Sequence, residues 1–284
     1  MTPEQRYLLD TMGYLHLKNV LNSQELKRLQ DAAERLVNTP PEELPVGVYK
    51  QKGNPLIDAS WDKYRRGVTF DRAFEHLTMH PAVWQIIKEL TGNKPCLCRG
   101  NLMVNTHEHI PIPLHNGDGG QILALGVNRD GKNSPRGFGK PGTLFCELFS
   151  IFWYLTDVYP GDGGLLLTPG SHKSEFASPY TRVFDSEENL PQGVVNVTPK
   201  AGDAVVIPEV SSRGSLKWKP TDRERRFVIC RYVPQHILAW HRDTDFIMVK
   251  EMKDRLAPET QELVETAWRT HEKEITKRDT IRLI

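Results

Sequence analysis

Residues 197–234 read VTPKAGDAVVIPEVSSRGSLKWKPTDRERRFVICRYVP. The stretch parses as strand, turn, strand, loop, strand. Residues 204–207 form a short apolar run entered through Ala201-Gly202-Asp203, and residues 227–233 form a second. Short apolar runs bounded by turn residues predict buried strands. Between them lie Arg213-Gly214, read as a glycine corner, and a loop carrying Trp218. Arg223, Arg225 and Arg226 cluster before the final run. A guanidinium at the entry to a buried strand suits a small carboxylate, which it grips through two parallel N–H donors. The alternative is the solvated rim of a β-sandwich.

Two further segments share the pattern. LTDVYPGDGGLLLTPGSHKSEF, residues 155–176, gives a strand, an acidic turn, a strand and a PGSHK corner. PLHNGDGG, residues 113–120, carries His115. With residues 197–234 these segments resemble the phytanoyl-CoA dioxygenase family, non-haem Fe(II)/2-oxoglutarate oxygenases built on a double-stranded β-helix. That family closes with a GD turn, an apolar strand, an HG corner, an arginine and an aromatic. The resemblance spans residues 5–245 and implies a mainly β fold with flanking helices around a jelly-roll, cupin-like core. A single domain, 1–284, is expected. It divides into helical support over 1–95, the β-helix core over 96–235 and a helical tail over 236–284.

The departures from the family pattern are equally informative. The family holds iron with a His-x-Asp pair and a distal histidine, a facial triad that leaves positions open for 2-oxoglutarate and oxygen. Here His115 comes first, but Gly117 stands where the aspartate would be, and Asp118 falls one residue late. The HG corner reads Arg213-Gly214. A guanidinium is always protonated and has no lone pair for a metal. In strict register only His115 survives of the triad. The same register makes Arg225 the 2-oxoglutarate-binding arginine, with Arg226 one step off.

Composition sets the outer bounds. The chain has 284 residues, 26% charged and 38% hydrophobic, with a formal net charge of +1. Near-zero charge gives no electrostatic case for nucleic acid or an anionic membrane. No apolar run approaches the ~20 residues of a spanning helix. The opening MTPEQRYLLD does not read as a secretory leader, and the closing Arg-Leu-Ile does not read as a peroxisomal signal. A cytoplasmic protein is expected. Cys96, Cys98, Cys146 and Cys230 form no CxxC pair and read as reduced, buried thiols.

Thr2-Pro3 starts a helix that Gly13 stops, and residues 14–18 alternate as a short strand. Asn22-Ser23-Gln24-Glu25 is a capping-box pattern opening a helix to Val37. His80-Pro81 starts another, to Leu90. His76 and His80 sit at i, i+4 and read as a surface pair more readily than a metal face. Residues 96–104 form the first core strand. His107 and His109 read as turn and edge residues. Residues 119–142 are a glycine-rich insertion expected either to cover the barrel mouth or to form a hairpin with a flexible tip. Residues 143–155 read as one doubly buried strand. Asp157 and Asp162 are expected to hold the YPGDGG turn by side-chain to backbone hydrogen bonds. The tail reads as charged helices broken near Ala257-Pro258, with Met252, Leu256, Leu263 and Trp268 inward; it packs on the barrel or serves a homodimer.

The candidate site follows. His115, Arg213 and Glu209 are the catalytic candidates, and Arg225 and Arg226 the co-substrate candidates. Asn116, Asn128, Arg129, Arg136, His172 and Trp218 are assigned to a small-molecule substrate, and His115 with Asp118 to metal. Glu209 either pairs with Arg213 or replaces the missing carboxylate ligand. Three functions are consistent with this set: an Fe(II)/2-oxoglutarate oxygenase with a rearranged site; a family member that has lost iron and does non-oxidative catalysis or ligand binding; and a halogenase-like His-x-Gly site, which still needs a distal histidine.

Overall fold

The computed structural model describes residues 1–51, 62–117, 122–125, 142–180, 182–235 and 250–265. Asp118, Asn128, Arg129, Arg136 and Trp268, with most of the expected lid, lie outside the described residues.

The helices begin where the capping chemistry places them. α1 (Pro3–Met12) is capped by Thr2 through a full capping box with Gln5, and α2 (Ser23–Asn38) by Asn22 with Glu25. β1 (Leu15–Leu17) runs between them. There follow β2 (Tyr49–Lys50), β3 (Asp62–Arg65), α3 (Arg72–Leu77) and α4 (Pro81–Leu90). The core strands are β4 (Pro95–Asn105), β5 (Ile112–His115), β6 (Ile122–Leu125), β7 (Thr143–Cys146), β8 (Phe149–Tyr154) and β9 (Gly164–Leu167). β10 (Val195–Asn196), β11 (Ala204–Pro208), β12 (Arg213–Leu216) and β13 (Arg225–Pro234) complete them, before α5 (Lys250–Lys253) and α6 (Pro258–Glu265).

Two antiparallel sheets carry the architecture. The larger has the order β1-β11-β8-β13-β4-β3-β2 and the smaller β10-β9-β12-β5; β6 and β7 form a separate pair. Period-two alternation gives the large sheet two different faces. Leu102, Val104, Ile151, Trp153, Val228, Cys230 and Tyr232 point to one side. There they form a single buried cluster with Leu29, Ala33 and Leu36 of α2 and with Val83 and Ile87 of α4. Each such aliphatic side chain contributes about 1.5–3 kcal/mol on burial. Met252, Leu256 and Leu263 of the tail join the same cluster. The opposite face of β4, β8 and β13 turns toward the small sheet. The gap between the sheets is the cavity described below.

Two expectations are corrected. Residues 143–155 are two strands, β7 and β8, broken at Glu147-Leu148, where the Leu148 carbonyl accepts the Glu209 N–H at 2.9 Å. A run of apolar residues does not record a bend. Arg213-Gly214 lies inside a strand, not at a corner. Gly214 is needed for close approach: a Cβ there would meet the Ile112 and Pro113 carbonyl oxygens at 2.7 and 2.9 Å.

Candidate functional site

A cavity of about 110 Å³ lies between the sheets. Its floor comes from three strands of the large sheet, each giving alternate residues: Arg99, Asn101 and Met103 from β4, Phe152 and Tyr154 from β8, and Arg225, Phe227, Ile229 and Arg231 from β13. β5, β9 and β12 of the small sheet add His115, Leu165, Arg213 and Ser215. With Lys63 from β3, five cationic side chains line the cavity, and no carboxylate is among the described lining residues. That field favours an anionic occupant.

At one end sits Arg225, 4% exposed. Its Nε and Nη2 donate to Asn105 Oδ1 at 3.0 and 2.6 Å, and its plane stands 4.9 Å from the centre of the Phe227 ring. Its Nη1 is buried and has no hydrogen-bond partner among the described residues, and no carboxylate pairs with it. Tyr154 Oη, 1% exposed, is likewise unpartnered. Burial lowers the Arg225 pKa from its ordinary value and pushes the Tyr154 phenol up to about 12. Gly164 makes room for the guanidinium: a Cβ there would collide with Nη1. A buried donor left unsatisfied costs about 1–3 kcal/mol, more when charged, unless a ligand completes it.

The other end holds an ion pair. β12 pairs with β5 so that Arg213 stands directly across from His115. Arg213 Nη2 contacts Glu209 Oε2, and Nη1 donates to the carbonyls of Glu209 at 2.7 Å and Ser211 at 3.3 Å. The second Glu209 oxygen accepts from Ser150 Oγ at 2.5 Å and pairs with Arg231 Nη2 at 3.0 Å. Burial alone would push the Glu209 carboxyl up, but Arg231, Arg213 and Ser150 outweigh it and hold the group below the usual carboxylate range. His115 donates from Nδ1 to the Pro113 carbonyl at 2.9 Å, so the neutral ring carries its lone pair on Nε2. His115 is exposed to solvent at the cavity rim, yet crowding of the ring by neighbouring atoms lowers its pKa, and Arg213 adds to the shift.

These residues do not fit the family's iron. His115 is a competent ligand, but Arg213 across from it is a cation without a lone pair, and among the described residues the Glu209 carboxylate beside it is occupied on both oxygens. Glu209 also takes the volume of the absent aspartate. The Gly117 N–H donates to the Glu209 carbonyl at 2.7 Å, and a Cβ on Gly117 would lie 2.9 Å from Glu209 Oε2.

The remaining candidates are placed elsewhere. Arg226 points to the opposite face of β13, paired with Glu34 and Glu224, because neighbours on a strand alternate. His172 donates from Nε2 to the Asp10 carbonyl at 2.9 Å and packs on Gly13, tying the PGSHK corner to α1 instead of lining the cavity. Trp218 donates to the Arg223 carbonyl at 2.8 Å within an apolar cluster and is not a lining residue. Asn116 is exposed at the rim, donating to the Val210 carbonyl at 3.1 Å. Asp157 and Asp162 hold the turn as expected, accepting from Ala201 N at 2.8 Å and Tyr159 N at 2.7 Å. The sequence reading overlooked Arg231, Tyr154, Asn105 and Ser150. Their signal was available in the two-residue period from Arg225 to Arg231 and from Ser150 to Tyr154.

Away from the cavity, Glu25 Oε1 lies 3.3 Å from Nε2 of both His76 and His80. This is the one such trio among the described residues. His80 Nδ1 accepts the Ala82 N–H at 3.2 Å as the cap of α4. The neutral ring therefore carries its proton on Nε2, where a metal would have to bind. The trio is a hydrogen-bonded junction of three helices.

The phytanoyl-CoA dioxygenase (PhyH) family profile matches residues 9–209. The chain belongs to this family. No curated protein matches it. Among solved structures it is similar to HygX from Streptomyces hygroscopicus with nickel, 2-oxoglutarate and hygromycin B bound. The identity is 22% over 82% of this chain and 88% of that one, with a TM-score of 0.60. It is similar to the α-ketoglutarate-dependent epimerase SnoN from nogalamycin biosynthesis, at 16% identity over 82% and 83% of the chains and a TM-score of 0.56. EctD from S. alaskensis, with 2-oxoglutarate and 5-hydroxyectoine, shares 17% identity over 83% and 77%, at 0.58. These likenesses fix the fold as the jelly-roll core of that group. Membership in PhyH supports an oxygenase-type enzyme as the coarse functional class. Among the described residues no helix is long and apolar enough to cross a membrane.

Proposed function

We propose that this PhyH-family protein binds a small carboxylate-bearing organic molecule in the inter-sheet cavity and acts on it without the family's metal. The observation that carries the reading is the pair of unfilled polar groups, Arg225 Nη1 and Tyr154 Oη, at one end of a cation-lined cavity whose other end holds a guanidinium paired with Glu209. Arg225 and Tyr154 hold the carboxylate. His115, neutral with its lone pair on Nε2, is the proton acceptor. Arg213 and Arg231 supply positive charge for an anion formed beside it. Phe152, Phe227 and Leu165 pack the ligand's carbon skeleton and exclude water.

The test is titration calorimetry with 2-oxoglutarate and with succinate, in the presence of excess chelator. Binding that persists under chelation and disappears in Arg225→Met supports the reading; binding that requires added Fe(II) or Mn(II) overturns it. One observation favours a second reading, an oxygenase with a rearranged site: Glu209 brings a carboxylate to the space beside Gly117. Metal-dependent conversion of 2-oxoglutarate to succinate would establish that reading instead.

A further inference from the structure

We infer that Arg213 and Glu209 together replace the metal centre as a built-in ion pair, with the guanidinium as the fixed cation and Glu209 as a transplanted carboxylate. The inference rests on the metal-independent reading above and adds a cause to it. Three placements converge. The β12–β5 register sets Arg213 opposite His115, so their side chains leave neighbouring strands on one face, where opposed Cβ atoms stand about 4.5–5.5 Å apart. Glu209 leaves the end of β11 and fills the space that a side chain on Gly117 would need, its Cβ, carbonyl oxygen and Oε2 all 2.9 Å from that missing Cβ. The guanidinium then closes on the same Oε2 and on the Glu209 carbonyl.

The pair is also braced from behind. Ser150 Oγ donates to Glu209 Oε1 at 2.5 Å and accepts from Arg231 Nε at 3.1 Å, and Arg231 Nη2 reaches the same carboxylate oxygen. The carboxylate is thus held by two strands of the large sheet and does not depend on Arg213 for its position. Two consequences follow. Taking away the guanidinium, and with it the positive charge, leaves an oriented carboxylate beside an imidazole that presents Nε2. Placing an aspartate at 117 fails, because Glu209 already occupies its volume.

The decisive variant is Arg213→His, which puts a third donor across from His115. Manganese(II) binding is followed by electron paramagnetic resonance under anaerobic conditions, with circular dichroism and Tm as checks on folding. The wild type is expected to leave Mn(II) free. Arg213→His is expected to bind it, and Arg213→His/Glu209→Gln to bind about tenfold or more weakly. Folded Arg213→His that leaves millimolar Mn(II) free overturns the inference while the metal-independent reading stands. Wild-type Mn(II) binding that is lost in His115→Ala overturns that reading itself. A double-mutant cycle tests the volume exchange whether or not Arg213→His folds. Gly117→Asp is expected to lower Tm in the wild type and to lower it less in Glu209→Gly, which removes the Cβ and the carboxylate but keeps the carbonyl; equal losses in both backgrounds overturn the inference.

Discussion

Two buried arginines mark the two ends of one cavity, and their surroundings are opposite. Arg213 meets a carboxylate and two carbonyls. Arg225 is at least as deeply buried, yet among the described residues its one hydrogen-bond acceptor is the Asn105 amide oxygen, and its Nη1 has none. A buried charge persists when it is paired or when its unpaired state serves binding. On the proposed reading, Arg213 maintains the architecture of its end of the cavity, whereas Arg225 is held ready for a ligand.

The largest expected effect tests the paired end. Glu209→Gln leaves Arg213 and Arg231 without their shared carboxylate, and breaking a buried pair from one side destabilises by about 3–5 kcal/mol; urea denaturation measures it. A loss no greater than that of a surface substitution would break the contrast. Arg225→Met is expected to do the reverse, leaving stability unchanged or raised because an unpaired buried charge is removed. In the same variant, carboxylate binding weakens by about 1.5–3 kcal/mol, the range for hydrogen bonds to charged groups, readable by calorimetry. Tyr154→Phe sharpens the point. Its hydroxyl bonds nothing in the free protein, so Tm holds while binding weakens by about 0.5–1.5 kcal/mol.

The Glu25–His76–His80 junction supplies a comparison without a buried guanidinium. Burial lowers the His80 pKa, and His76 adds to the shift, so the folded state prefers the neutral ring. A lowered folded pKa means the contribution is fully present above the unfolded value of about 6.5 and is lost as pH falls from there through the folded value. Urea midpoints of the wild type should therefore decline below about pH 6.5 more steeply than those of His80→Gln. Parallel curves would remove His80 from the acid response. Glu209, whose carboxyl is held low, adds its own loss only at more acid pH, below the ordinary carboxylate range.

Much of this was legible in the chain. The helix starts at Thr2, Asn22 and His80 were readable because capping is local chemistry, settled within a few residues. Arg225 and His115 were readable from short motifs with fixed spacing. Arg226 was misplaced because register, not proximity in sequence, decides which face of a strand a side chain takes. The family resemblance leaves His172 structural or cavity-lining, and the sequence could not choose between them because its partner, Asp10, lies 162 residues away, at the other end of a contact that no local pattern announces.

The amino-acid order alone pointed to the family, the capped helices and the alternating strands, and put a glycine and an arginine where the family resemblance leads one to expect metal ligands. Only the folded chain decided what those substitutions mean. Whether an arginine is an obstacle, an ion-pair partner or a waiting ligand site depends on which carboxylates and carbonyls stand within about 3 Å of it. That is fixed by strand register and sheet packing between residues far apart in the chain, and the fold gave Arg213 a carboxylate partner and left Arg225 Nη1 without one among the described residues.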